Sequence, residues 1–190
     1  MRVLGISGSL RRDSYNTALL RAAAAQLPPG VELVEWDRLK AVPPYDADDD
    51  GESAPGPVRE LREAIADADA VLIATPEYNA SIPGVLKNAL DWVSRPHATN
   101  PLRGKPAAVV GASTGMFGAV WSQAETRKVL GTIGARVIDR ELPVPEAAER
   151  FDEQGRLTDA DVEETLGEIV ADLVAAVEAR AEGLRARAAA

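Results

Sequence analysis

Apolar residues gather in five short runs, at 2–7, 31–36, 70–75, 107–111 and 135–138, and a segment long enough for a helix follows each of them. Short Val-, Leu- and Ile-rich runs predict strands, and their alternation with helical segments predicts successive βα units on a parallel sheet covered on both faces. The first helix is expected to start at Ser14 or Asn16, both good caps, and to stop before Pro28, Pro29 and Gly30. Its Leu19, Leu20, Ala22, Ala23 and Leu27 form the inward stripe. The last helix is expected from the segment beginning at Thr158, with Thr158 as cap and Asp159 and Asp161 near the positive end of the helix. Val162, Leu166, Ile169, Leu173, Val177 and Ala181 then recur at helical spacing, and residues after Arg185 are expected to fray.

Two segments depart from the pattern. Between Pro43 and Pro57 the chain carries Asp46, Asp48, Asp49, Asp50 and Glu52 among several Pro and Gly, which predicts a mobile, solvated surface loop. It lacks the 12-residue spacing and terminal glutamate of a calcium loop, so no metal site is expected there. The helix expected over 84–94 is apolar around most of its circumference: Val85, Leu86, Ala89, Leu90, Trp92 and Val93 leave only Lys87, Asn88 and Asp91 as a polar strip. A helix docked on one sheet needs an apolar stripe of about 100°. The surplus, Trp92 above all, predicts a contact with a second copy of the chain, and the next helix repeats the pattern more weakly with Val120, Trp121, Ala124, Val129 and Leu130.

The 190 residues suit one open α/β domain, expected over 1–185, rather than two domains and a linker. With 21 Lys and Arg against 30 Asp and Glu, the net charge of -9 argues against a nucleic-acid or anionic-membrane partner. The absence of cysteine removes disulfides, thiolate metal ligands and a cysteine nucleophile, so redox chemistry would need a borrowed cofactor. No run approaches the roughly 20 apolar residues of a membrane span, and the N-terminal apolar run is too short for a signal segment. A cytoplasmic protein is expected. The one histidine, His97, follows a helix end in Arg95-Pro96-His97 and is expected in a surface loop.

Candidate chemistry sits in three loops, each directly after an expected strand. In an open parallel sheet, ligands bind beyond the carboxyl ends of the strands, where such loops converge. The first, from Gly8 to Thr17, fits neither G-x-G-x-x-G nor G-x-x-x-x-G-K-[ST], yet its hydroxyls (Ser9, Ser14, Thr17), its guanidinium groups (Arg11, Arg12) and the following helix start suit a phosphomonoester. The second, from Pro76 to Gly84, sets Tyr78, Asn79 and Ser81 between two prolines, suiting a flat heteroaromatic ligand. The third, with Ser113, Thr114, Gly115 and Gly118, allows backbone N–H groups close to a ligand, where they can stabilise negative charge on a ring.

Together these loops resemble the NADPH-dependent FMN reductase family, a flavodoxin-like group that includes quinone and chromate reductases. The resemblance rests on G-S-L-R-R-D-S-Y-N, T-P-E-Y-N-A-S-I-P-G-V-L-K-N-A-L-D-W and G-A-S-T-G-M-F-G-A, in order, across residues 1 to 145. It implies a flavodoxin-like five-stranded parallel sheet of order 2-1-3-4-5 with helices on both faces. It also implies FMN as cofactor, with Ser9, Arg11, Ser14, Asn16 and Thr17 at the phosphate and ribityl end. Pro76, Glu77, Tyr78, Asn79 and Ser81 would line the isoalloxazine ring, and Ser113, Thr114 and Gly115 would meet its pyrimidine edge. Arg12 would face solvent.

The activity implied is transfer of hydride from NADPH or NADH, through FMN, to a quinone or similar small-molecule acceptor, with no catalytic side chain because the flavin carries the chemistry. The resemblance further favours a homodimer or homotetramer. The alternative is a flavodoxin-type electron carrier, which the acidic charge would suit but the two arginines of the first loop and the central motif oppose.

Overall fold

The computed structural model describes residues 1–188. Five of its strands form the path β2-β1-β3-β4-β5, all parallel: β1 is Arg2–Ser7, β2 Glu32–Trp36, β3 Ala70–Ala74, β4 Pro106–Ala112 and β5 Arg136–Val137. Helices α1 (Tyr15–Ala25), α2 (Gly56–Asp67), α3 (Gly84–Val93), α4 (Val120–Thr132) and α5 (Ala160–Ala188) connect or follow them. This is the flavodoxin-like order expected from the sequence.

Strand side chains alternate between two cores. Val3, Leu72, Ala108 and Val110 face α1 and α5 in one core, together with Leu19, Leu166 and Ile169. Leu4, Ile6, Val71, Ile73 and Val109 face the other, with Leu61 and Ile65 of α2, Leu86 and Leu90 of α3 and Leu130 of α4. Strands β3 and β4 are buried along their whole length, because helices cover both faces.

The fifth expected strand is realised as β5, inside the expected 135–138 run, and a further strand that the sequence did not announce follows it. The short β5 is followed by Asp139-Arg140-Glu141 and then a sixth strand, β6 (Pro143–Val144), which pairs with β4 further along, Gly111 opposite Pro143. The three charged residues leave the ladder because their partners lie on helices. Arg140 pairs with Glu168 and Asp172 of α5, and Arg127 of α4 holds both Asp139 and Glu141.

Four expectations are corrected. Thr158 does not cap α5: its hydroxyl donates to the Arg150 carbonyl, while Asp159 Oδ1 accepts from the N–H groups of Asp161 and Val162. Helix α5 runs to Ala188, past the Arg185 boundary, and the remainder of the 186–190 tail lies outside the described residues.

The loop over 43–57 is tied down by its own chain, and Trp92 is what ties it. The indole is 0% exposed, packs edge-on against Tyr45 at 4.9 Å, and donates from Nε1 to the Pro43 carbonyl at 2.9 Å. Asn88 joins the same carbonyl and accepts from Tyr45 N, while Arg62 of α2 pairs with Asp50. Burial, then the Asp50 carboxylate that accepts its O–H, raises the Tyr45 phenol above its ordinary value. Trp92 is therefore unavailable to a second chain. What the sequence presents as surplus apolar surface on α3 is spent on the loop at its side.

At the opposite end of α2, Lys105, buried at the start of β4, donates to the carbonyls of Ile65, Ala66 and Ala68. These are orphan acceptors of a helix end that has no other cap. Burial, helped by Arg180, lowers the Lys105 ammonium to about 8.

Candidate active site

The three loops meet at the carboxyl ends of β1, β3 and β4. Ser14 caps α1, its Oγ accepting from the N–H groups of Asn16 and Thr17, so its hydroxyl hydrogen remains free to donate. Asn16 is buried and stitches this loop to the end of β4: Nδ2 donates to the Ala112 carbonyl at 2.9 Å and Oδ1 accepts from Ala112 N at 3.0 Å. Arg11 donates to the Asp13 carbonyl and lies over the Tyr15 ring at 5.0 Å. Gly8 permits the approach of the second loop, since a Cβ there would sit 3.0 Å from Leu86 and 3.2 Å from Pro76.

The second loop turns through Asn79 and Ala80, both at positive φ (53° and 56°), and Tyr78 and Ser81 exchange two backbone hydrogen bonds across that turn. A non-glycine pair in this conformation carries strain that the surroundings must hold. Here Glu125 of α4 holds it, accepting from Ser81 Oγ and Ile82 N. Glu77 points the other way. Its carboxylate accepts from Trp121 N at 2.9 Å and Ser122 N at 3.1 Å, capping α4, whose own N-cap residue Ala119 has no side chain able to do so. Beneath it, Thr75 and Ser122 share a buried hydroxyl contact of 2.8 Å.

In the third loop, Ser113 Oγ accepts from Gly115 N, and Gly118, at φ +58°, lies against the backbone of Pro143, Val144 and Pro145. Beyond it stand Met116 and Phe117, exposed, with Phe117 4.8 Å from the ring of Trp121.

These elements enclose a groove of about 240 Å³ lined by Ser9, Arg11, Ser14, Tyr15, Asn16, Pro76, Glu77, Tyr78, Ala112, Ser113 and Thr114. Nine of the thirteen sequence candidates thus come together there. Thr17 lines a neighbouring pocket instead, because the third residue of α1 faces β2. Asn79 sits at the exposed tip of its turn, Ser81 is engaged with Glu125, and Gly115 lies outside the lining. Tyr15 and Ala112 line the groove without having been singled out. Tyr15 is held by stacking on Phe151 at 5.5 Å, a contact from a distant segment that no local pattern announces. His97 is exposed, in the short turn His97–Thr99.

Hydroxyls, a guanidinium group and a helix N-terminus at one end, with Pro76, Tyr78 and the third loop at the other, set a polar groove at the strand ends of a flavodoxin-like fold. Comparison with known proteins narrows the class. The family described as NADPH-dependent FMN reductase matches residues 1–149. An NAD(P)H-dependent FMN reductase of Pseudomonas aeruginosa is 46% identical over 160 residues, covering 84% of this chain and 85% of that one. A 2-hydroxy-1,4-benzoquinone reductase of Burkholderia is 36% identical over 167 residues, 87% of this chain and 90% of its own. Among solved structures, the flavoenzyme NAD(P)H:(acceptor) oxidoreductase FerB of Paracoccus denitrificans superimposes with a TM-score of 0.81 at 35% identity, over 93% of this chain and 97% of that one. The chain belongs to the NADPH-dependent FMN reductase family.

Proposed function

We propose that this oxidoreductase holds FMN in the groove between the three loops and uses it to pass hydride from a reduced nicotinamide to a quinone. The single observation that carries the reading is the groove itself, in which phosphate-type donors and a flat-ring wall converge from three separate loops. When bound, FMN supplies the hydride acceptor and donor that the side chains lack.

The residues present fit that cofactor. The free hydroxyl hydrogen of Ser14, the start of α1, Ser9 and the Arg11 guanidinium form the phosphate end. Asn16 serves that end by joining it to β4 through backbone bonds, which fixes the spacing between the phosphate end and the third loop. Pro76 and the strained Tyr78 turn form the ring wall, with Ser113 and Thr114 at the pyrimidine edge. Glu77, Ser81 and Gly115 position these walls through Trp121, Glu125 and Ser113.

We take residues 1–185 as one domain, acting in the cytoplasm, where reduced nicotinamides are supplied. We further infer a homodimer, or a tetramer built from such dimers, closed through the face bearing Phe117 and Trp121, which are 53% and 45% exposed beside the groove. A groove of about 240 Å³ leaves part of a bound flavin uncovered, and a second copy on this face would shield it.

Calorimetric titration with FMN tests the assignment. Arg11→Ala should weaken FMN binding by about 1.5–3 kcal/mol while leaving riboflavin, which lacks the phosphate, unaffected. Unchanged FMN affinity would remove Arg11 from the phosphate site.

A further inference from the structure

At the end of the sheet opposite the groove, three arginines converge without a carboxylate. A pocket of about 250 Å³ lies where the amino ends of β4 and β5 meet the last turns of α5, lined by Arg103, Arg136 and Arg180 with Gly104, Gly183 and the exposed Leu184. Strand β4 is 7 residues long, so the pocket stands roughly 20 Å from the three loops of the groove. None of the three arginines forms an ion pair among the described residues, although the chain has a net charge of -9 and its Arg127 and Arg140 each hold two carboxylates.

The backbone fixes the roots of Arg103 and Arg136 beside each other: Gly104 N donates to the Gly134 carbonyl at 2.7 Å, and Arg136 N donates to the Lys105 carbonyl at 2.9 Å. Arg103 spends one Nη2 donor on the His97 carbonyl at 3.1 Å, which orders the side chain. A Cβ at Gly104 or Gly183 would meet nothing within 4 Å, so neither residue closes the mouth. The positive field reaches inward as well. After burial, Arg180 is the next cause that lowers the Lys105 ammonium, while Asp67 and Asp69 act on it in the other sense without lining the pocket.

Like charges gathered in one pocket repel one another, and a multiply charged anion removes that repulsion. The planar fork of an arginine matches the oxygens of a phosphoryl group two at a time. The lining also says what the ligand lacks: no aromatic side chain is there to stack on a base, and no carboxylate is there to accept from ribose hydroxyls. A nucleic-acid backbone is opposed by the charge of the whole chain. We infer that this pocket binds a small free oxyanion with two phosphoryl groups, of the inorganic pyrophosphate kind, held by Arg103, Arg136 and Arg180. Bound there, the anion ties the last turns of α5 to the amino ends of β4 and β5.

Calorimetric titration of the FMN-loaded protein with pyrophosphate, at fixed ionic strength, tests the site. Wild type should bind one pyrophosphate per chain at least about tenfold tighter than inorganic phosphate, and Arg136→Ala/Arg180→Ala should weaken that binding by about tenfold or more. Arg136→Lys/Arg180→Lys keeps both charges and loses the forks, and its affinity should fall between the two. The alanine variant should keep the wild-type urea midpoint, which separates lost binding from a lost fold. Pyrophosphate should also slow amide hydrogen exchange over 179–185 in wild type and not in the alanine variant. An alanine variant that binds pyrophosphate as wild type does, or protection that falls on 8–17 instead of α5, overturns the site. Equal affinity for phosphate and pyrophosphate overturns the two-phosphoryl ligand.

Discussion

Two tryptophans on successive helices have opposite fates. Trp92 comes from an almost wholly apolar helix and is the stronger candidate for an intermolecular contact, yet it is fully buried beneath its own chain's 43–57 loop. Trp121 comes from a helix of weaker amphipathic character, and 45% of it is exposed, paired with Phe117 at the edge of the groove. Apolar surplus on a helix therefore signals that something covers it without saying what. A proline-rich loop nearby, with carbonyls free of a ladder, is a sufficient cover, because an indole N–H needs an acceptor when buried and Pro43 provides one.

The sharpest way to break the contrast is Trp92→Ala. It should cost about 3–5 kcal/mol in urea unfolding, as a large buried aromatic does, and should open the 43–57 loop to proteolysis at low protease concentration. A loss below about 1 kcal/mol would mean that the indole is not a structural pillar.

Next comes Lys105→Met, at the far end of the helix that supplies the wall behind Trp92. Leaving the carbonyls of Ile65, Ala66 and Ala68 without their donor should cost about 1–3 kcal/mol. The ammonium titrates near 8 when folded against 10.5 as its ordinary value, so the unfolded chain binds more protons between those limits. Stability from this group should accordingly rise with pH from about 8 to 10.5, and the variant should lose that slope in unfolding curves recorded across the window.

Smaller is Glu77→Gln, which weakens the cap on the helix bearing Trp121. A loss of about 1 kcal/mol is expected, with slower reduction of quinone as the Tyr78 turn loosens. Unaltered unfolding would detach Glu77 from capping. Smallest for the isolated fold is Trp121→Ser, expected within about 0.5 kcal/mol of wild type in unfolding once concentration effects are removed. Sedimentation equilibrium should nevertheless shift it toward the monomer; an unchanged assembly would place the interface elsewhere.

The sheet was legible because each strand is a short apolar run flanked by helix-length segments, and 2–7 was bounded to the residue. The sixth strand, β6, was not, since the Asp139-Arg140-Glu141 link that carries the chain to it is fixed by partners on α4 and α5 that are remote in sequence. The same limit applies in the site. Residues such as Ser9, Ser14 and Pro76, whose role follows from the backbone next to them, fell into the groove. Glu77 and Asn16 were recognised as belonging to the loops, but their side chains serve Trp121 and Ala112, partners that only the folded chain supplies. Tyr15 required Phe151, which lies 136 positions later in the chain.

Gly118 gives the third loop an uneven tolerance of change. A Cβ at that position would stand 2.6 Å from Val144 N and 2.7 Å from the Pro143 carbonyl carbon, both backbone, so no side chain can be admitted without displacing β6. Two residues earlier, Met116 meets solvent, and Phe117, itself exposed, lies 4.8 Å from the ring of Trp121. Such a loop has one fixed point and a free tip. Substitution at the exposed residues 116 and 117 should cost little stability, while any side chain at 118 should displace β6 and destabilise the fold. The loop thus joins an exchangeable tip to a rigid mount, and the tip can change without renegotiating the fold.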